Sequence, residues 1–151
     1  MKRETLYLDT SIISAYYDTR AKDRQTVTIK FWGNIVPDYK VFISELTITE
    51  LEQTRDDALK VKFQALIKGL SVLPLERKAR LLARAYITHG IFPEKYLDDA
   101  LHVAIATCHD ISNLISWNFE HLVKVKTRKT VNLVNLLEGH SEIEIIPPQE
   151  L

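Results

Sequence analysis

Carboxylates stand at the ends of apolar runs in this 151-residue chain, where side chains of that type could share a metal ion. Leu6-Tyr7-Leu8 stops on Asp9, followed by the hydroxyl residues Thr10 and Ser11 and then by the helical pattern Ile12, Ile13, Ala15, Tyr16. Two roles compete for Asp9. As a helix N-cap it accepts hydrogen bonds from the free N–H groups of a first turn. As an acid at the carboxyl end of a buried strand it stands where open α/β sheets bind ligands, and it can hold a metal ion there. Glu50 poses the same choice. It closes Thr47-Ile48-Thr49-Glu50 just after the apolar run Val41-Phe42-Ile43-Ser44, and Thr-x-x-Glu before an apolar run is also a capping box. Asp98 and Asp99 interrupt the stripe Leu97, Ala100, Leu101, Ala104, Ile105, Cys108, which places them in the middle of a core helix. Aspartate is a poor residue there, and a solvated pair is the plain alternative to a site. Periodicity does not choose between the two. Asn118 follows Asn113-Leu114-Ile115-Ser116 and Trp117, and so brings an oxygen-bearing side chain to another strand end.

The elements that must position these groups follow from the apolar pattern. Leu6-Tyr7-Leu8, Val41-Phe42-Ile43-Ser44, Ser71-Val72-Leu73 and Asn113-Leu114-Ile115-Ser116 read as short buried strands, and the acid–isoleucine alternation of 142–146 as a half-exposed edge strand. Helical patterns cover 24–35, 46–70 with a break near Asp56, 76–88, and 93–109 with Pro93 at the favoured first position. Short helices are expected at 119–122 and 131–137. Strands separated by helices pair in parallel through right-handed crossovers. The expected fold is therefore a three-layer α/β/α sandwich on a mainly parallel sheet of about five strands, forming one domain over residues 1–151. In that architecture Asp9, Glu50, Asp99 and Asn118 face one crevice at the carboxyl ends of the strands.

Leu8-Asp9-Thr10-Ser11, Ser44 through Leu51, Asp99 through Ala106 and Leu114 through Asn118 resemble, in order, the four motifs of the PIN domain, in particular those of VapC-like toxins of prokaryotic toxin–antitoxin pairs. The likeness spans nearly the whole chain. It implies a metal-dependent endoribonuclease with Asp9, Glu50 and Asp99 as the acidic set, and it selects Asp99 over Asp98 because Asp99 precedes Ala100-Leu101-His102-Val103-Ala104. It further implies a homodimer, and a small antitoxin whose tail fills the acidic cleft. The family's fourth position is often Asp within Thr-x-Asp; here the same place reads Ser116-Trp117-Asn118. Asn118 can orient water or a ligand but adds no charge. A PIN scaffold without useful nuclease activity, acting as a binding or regulatory module, is the second reading. A phosphoryl-transfer enzyme using Asp9 as nucleophile is the third. It lacks an acid two residues on, where Ser11 stands.

Three carboxylates converging to about 5 Å repel pairwise by roughly 3 kcal/mol at an effective dielectric near 20. A proton or a cation must offset that, and all-oxygen ligation favours Mg²⁺ or Mn²⁺ over zinc. In the expected site Asp9 and Asp99 are the principal ligands, Glu50 binds a second ion or positions water, and Ser11 and Ser116 support them. His102 is read as a core or rim histidine. Twenty basic residues balance twenty acidic ones, which excludes binding of nucleic acid by bulk charge alone. RNA contacts are sought in Arg77, Arg80 and Arg84, in Lys124, Lys126, Arg128 and Lys129, in Arg20, Lys22 and Arg24, and in Trp117 as a stacking ring. The single Cys108 excludes a disulfide framework, and no run approaches a signal peptide or a membrane span, so a cytoplasmic location is expected.

Overall fold

The central strand carries no polar alternation because both of its faces are covered. β1 (Thr5–Leu8) buries Leu6, Tyr7 and Leu8 completely, and Leu6 and Leu8 point to one side of the sheet while Tyr7 points to the other. The computed structural model describes residues 4–151; the N-terminal three, from which the expectation of no signal peptide starts, lie outside them. β2 (Lys40–Ser44), β3 (Ser71–Leu73), β4 (Asn113–Ile115) and β5 (Glu144–Ile146) complete a five-stranded sheet in the order β3-β2-β1-β4-β5. Every pairing is parallel. Leu6 lies between Val41 and Asn113, and Tyr7 between Phe42 and Leu114.

Helices cover both faces, as parallel strands require. On the Leu6 and Leu8 side lie α1 (Thr10–Tyr16), α2 (Lys22–Asn34) and α4 (Asp57–Ile67), whose Ile12, Ile13, Phe31 and Phe63 pack against Ile43, Ile115 and Ile146. On the Tyr7 side lie α5 (Arg77–Thr88), α6 (Leu97–Cys108) and α7 (Val125–Leu137), whose Leu82, Tyr86, Val103, Ile105 and Val131 pack against Leu114 and Ile145. α3 (Glu45–Glu52) follows β2 directly and sends Leu46 to one core and Leu51 to the other. The expected three-layer sandwich is thus the observed one. The break near Asp56 is also observed: its carboxylate accepts from the Leu59 N–H at 3.1 Å and caps α4. Among the described residues no helix is long and apolar enough to cross a membrane.

Several boundaries differ from the sequence reading, each for a local reason. Pro93 does not start α6. It precedes a 3-10 turn, Glu94–Tyr96, and α6 begins at Leu97. Asp98 and Asp99 therefore occupy the first turn of α6 and not its middle, which suits acids because the helix N-terminus carries positive partial charge. The helix expected at 119–122 is a turn, closed by N–H groups of Leu122 and Val123 on the Asn118 carbonyl. α7 starts at Val125, well before the expected 131, so its basic run is helical. β5 is an edge strand as expected, but Ile145 and Ile146 are both buried, one in each core, because the strand is covered on both faces.

Candidate active site

The strand order reverses direction around β1, with β2 on one side and β4 on the other. It is outside the carboxyl ends of the strands at such a switch point that open α/β sheets bind their ligands. Asp9 follows β1 there. Its Oδ1 accepts from the Ser11 N–H at 3.0 Å and the Ser11 hydroxyl at 2.5 Å, and its Oδ2 accepts from the Ser116 hydroxyl at 2.6 Å. Asp9 is thus the N-cap of α1 and a member of the site at once. The same hydroxyls tie the two strand ends together, since Ser11 Oγ accepts from the Trp117 N–H and Ser116 Oγ from the Asn118 N–H, each at 2.9 Å. Ser11 and Ser116, the supporting residues of the sequence reading, both donate to Asp9 and orient it.

Glu50 is not part of a capping box. Ser44 caps α3 with Thr47 as its reciprocal partner, which leaves Glu50 free in the last turn. Its Oε1 accepts from the Thr10 hydroxyl at 2.8 Å and from His102 Nε2 at 2.5 Å. His102 lies one turn beyond Asp99 on α6 and is buried. Its Nδ1 sits 2.6 Å from the Tyr7 hydroxyl, which lies 2.7 Å from Ser44 Oγ. With both ring nitrogens protonated, His102 donates to Glu50 and Tyr7, and Tyr7 in turn donates to Ser44. Histidine here is a partner of the acidic set and more than packing.

α6 resolves the choice that periodicity left open. Asp98 is exposed, whereas Asp99 is half-buried and turned to the crevice, its Oδ1 3.5 Å from the Asn118 amide nitrogen. Asn118 spends its carbonyl oxygen on the His121 N–H at 2.9 Å. Its side chain therefore closes the turn after β4 and presents an amide donor, not an oxygen, to Asp99. Two further groups had no signal in the sequence strong enough to single them out. His121, whose ring centre lies 3.8 Å from that of Tyr96, acts on the Asp99 charge. Tyr7 carries a phenol into the fully buried part of β1, and a buried phenol needs a hydrogen-bond partner. Trp117 does not offer a stacking face: the residue is 6% exposed and its Nε1 donates to Thr28 Oγ1 at 2.9 Å.

Burial raises the Asp9 pKa against the opposing pull of His102 and the serine hydrogen bonds. Burial also raises Asp99; His121 and His102 lower it, and Asp9 and Glu50 raise it further. For Glu50 burial acts upward but is outweighed by the hydrogen bond and charge of His102 and by Thr10, so its pKa falls below the usual carboxylate range. Burial disfavours the His102 cation, yet Tyr7, Glu50 and Asp9 carry its pKa up to about 10. The centre thus holds an ionised Glu50 paired to a histidinium, beside two aspartates that resist ionisation.

A hard divalent cation fits this donor set in part. Among the described residues no three His, Cys, Asp or Glu side chains approach closely enough to hold an ion together. Both hydrogen bonds to Glu50 fall on Oε1, leaving Oε2 open, and Asp99 receives only the long contact from Asn118. Mg²⁺ characteristically takes one or two carboxylates and fills its remaining positions with water and phosphate oxygens. Asp9 and Asp99, whose ionisation burial disfavours, are the residues where a bound cation would favour the charged form.

The chain resembles solved structures of prokaryotic toxins. VapC20 of Mycobacterium tuberculosis, described as a toxin that cleaves the sarcin-ricin loop, is 19% identical with a TM-score of 0.59, over 77% of this chain and 92% of that one. VapBC-1 of nontypeable Haemophilus influenzae is 14% identical with a TM-score of 0.59, over 96% and 98% of the two chains. VapBC-5 of Mycobacterium tuberculosis, a toxin–antitoxin system, is 19% identical with a TM-score of 0.53, over 95% and 98%. These likenesses show the fold. No curated protein sequence gives a significant match. The model of the PIN domain matches residues 6–128, a span that begins inside β1 and takes in Asp9, Glu50, Asp99 and Asn118. With the parallel sheet and the acids at its carboxyl edge, that match makes this chain a member of the PIN domain family.

Proposed function

We propose that this chain, acting as one domain over residues 1–151, is an endoribonuclease that hydrolyses RNA phosphodiester bonds with Mg²⁺ or Mn²⁺, and that it is the toxin of a toxin–antitoxin pair. The observation that supports this reading is the placement of Asp9, Glu50 and Asp99 around the carboxyl edge of the sheet, with Asp9 and Glu50 oriented by hydrogen bonds and Asp99 3.5 Å from the Asn118 amide. Asp9 and Asp99 would hold the ion. When bound, it supplies Lewis-acid polarisation of the scissile phosphate. Glu50, kept ionised by His102, offers Oε2 as an acceptor for a proton from the attacking water. His102 balances the Glu50 charge, and Ser11 and Ser116 keep both Asp9 oxygens aimed. The toxin assignment, a small antitoxin partner and a homodimer rest on family membership and on the likeness to the VapBC structures.

The test is to incubate purified protein with structured and single-stranded RNAs in Mg²⁺, Mn²⁺ or EDTA, beside Asp9→Asn and Asp99→Asn. Cutting that needs the metal and drops at least 100-fold in both variants, with their thermal melts intact, is the expected result. Equal turnover by the variants would sink the assignment. A binding or regulatory module is the second reading, favoured by Asn118, which brings a donor and no charge to the fourth position. Protein that neither cuts RNA nor binds Mn²⁺ would select it.

A further inference from the structure

Beside the acids lies a second recess that the proposed chemistry does not use. It encloses about 560 Å³, shares Ser11 and Asn118 with the acidic centre, and is walled by Arg24, Trp117 and Phe119. That size suits a small planar ligand. The hydrogen bond from Ser11 to Asp9 and that from the Trp117 N–H to Ser11 make the recess and the acidic centre neighbours through one side chain. Phe119 is 41% exposed, in the turn that Asn118 closes. The Arg24 guanidinium carbon lies 5.4 Å from the centre of the Trp117 ring and 5.6 Å from that of Phe119. Among the described residues Arg24 forms no ion pair. A guanidinium plane is thus held against a fixed, buried indole, next to an exposed ring.

Bases splayed out of single-stranded RNA are received on such surfaces, by stacking on aromatic rings or on guanidinium planes. The rim separates a base from a phosphate. Glu120 and Asp18 border the recess; Arg20 pairs with the Asp18 carboxylate at 3.0 Å, whereas the exposed Glu120 carboxylate can accept from the amino edge of a base and disfavours an anion beside it. We infer that Arg24 and Phe119 form a subsite for one unpaired nucleobase flanking the phosphate to be cut. This rests on reading the acidic centre as an RNA-cleaving site. The stacking ring sought in Trp117 is then Phe119, two residues on, with Trp117 backing the arginine.

The subsite is tested by fluorescence anisotropy with labelled single-stranded RNA hexamers, in EDTA and in Ca²⁺, using intact hexamers and a set in which one abasic nucleotide is moved along the chain. Phe119→Ala, Phe119→Leu and Arg24→Ala are compared with the wild type. Both altered side chains are exposed, so thermal melts should be unchanged. Each variant should bind about 5- to 100-fold more weakly, the range that one stacked base spans. Phe119→Leu should fall with Phe119→Ala, because leucine keeps the apolar bulk but not the ring. An abasic nucleotide at one position should weaken the wild type by a similar factor and leave Phe119→Ala unaffected. Wild-type affinity in Phe119→Leu, or indifference of the wild type to every abasic position, would overturn the subsite and leave the nuclease reading standing. Absence of RNA binding by the wild type in both conditions would overturn the two together.

Discussion

Asn118 is the residue at which this centre departs from an all-carboxylate set. Its carbonyl oxygen faces the turn and its NH₂ lies 3.5 Å from Asp99, so it brings a donor to a half-buried acid without adding to the negative charge. Asn118→Asp would replace that donor with a second anion. Thermal melts should then show a less stable metal-free protein and a larger upward shift of Tm on adding Mn²⁺. An unchanged Mn²⁺ response would place Asn118 outside the ion's reach. His102 allows a test of sign. Its pKa is about 10 in the folded chain against 6.5 for an ordinary histidine. A raised cationic group contributes stability fully below its unfolded pKa and loses it as pH climbs to the folded one. Metal-free protein should therefore weaken between about pH 6.5 and 10 in urea titrations, and His102→Gln should flatten that part of the profile. Asp9 stood out at this scale because an acid that stops an apolar run is conspicuous, whereas Glu50 read equally as a cap and Asp99 was separated from Asp98 only by the family resemblance. Thr10 and Tyr7 did not stand out, since their partners in the site lie 40 and 95 residues away and no periodicity reports that.

Among the elements, the start of α6 and the joint between β1 and β4 do most to position the centre. α6 has no side-chain cap at Tyr96, so its first-turn N–H groups and the partial charge they carry face Asp98 and Asp99. The sequence reading took Pro93 as the helix start and set both acids a turn too deep. A 3-10 turn intervenes, and no local pattern distinguishes it from the first turn of an α-helix. At the other joint, Ser11 and Ser116 cross-link the two strand ends through Asp9. Ser116→Ala removes the donor to a buried Asp9 oxygen and the acceptor for the Asn118 N–H, which should destabilise the protein by about 1–3 kcal/mol. Chemical denaturation measures that loss. RNA cleavage should fall by more than stability explains, because Asp9 is released along with the turn that carries Asn118.

For the whole molecule, balanced charge is distributed unevenly. Acids gather at the crevice, and the basic residues Lys124, Lys126, Arg128 and Lys129 crowd the first turns of α7, which contain no acid. Cations at a helix N-terminus are electrostatically disfavoured, so they raise a positive patch and do not relieve one. RNA affinity should become less salt-dependent when Lys124, Lys126 and Lys129 are changed together to Gln. The slope of log K against log salt should drop by about two, at roughly 0.7 per lost phosphate contact on a single strand. A slope that stays unchanged would move the RNA path elsewhere, to the exposed Arg77 and Arg80 on α5. The apolar runs determined the strands, since an unbroken stretch such as Leu6-Tyr7-Leu8 is stable only with both faces covered. With the intervening helical patterns this left a parallel three-layer sheet and placed acids at its carboxyl edge. Tertiary structure alone decided that His102 neutralises Glu50, that Asn118 donates to Asp99, and that Phe119 and not Trp117 is the open ring, and it turned Asp99, the acid the family resemblance selects, to the crevice. Each of these depends on where a side chain points relative to an element far away in sequence, and hydrophobic spacing records only which side of its own element a residue occupies.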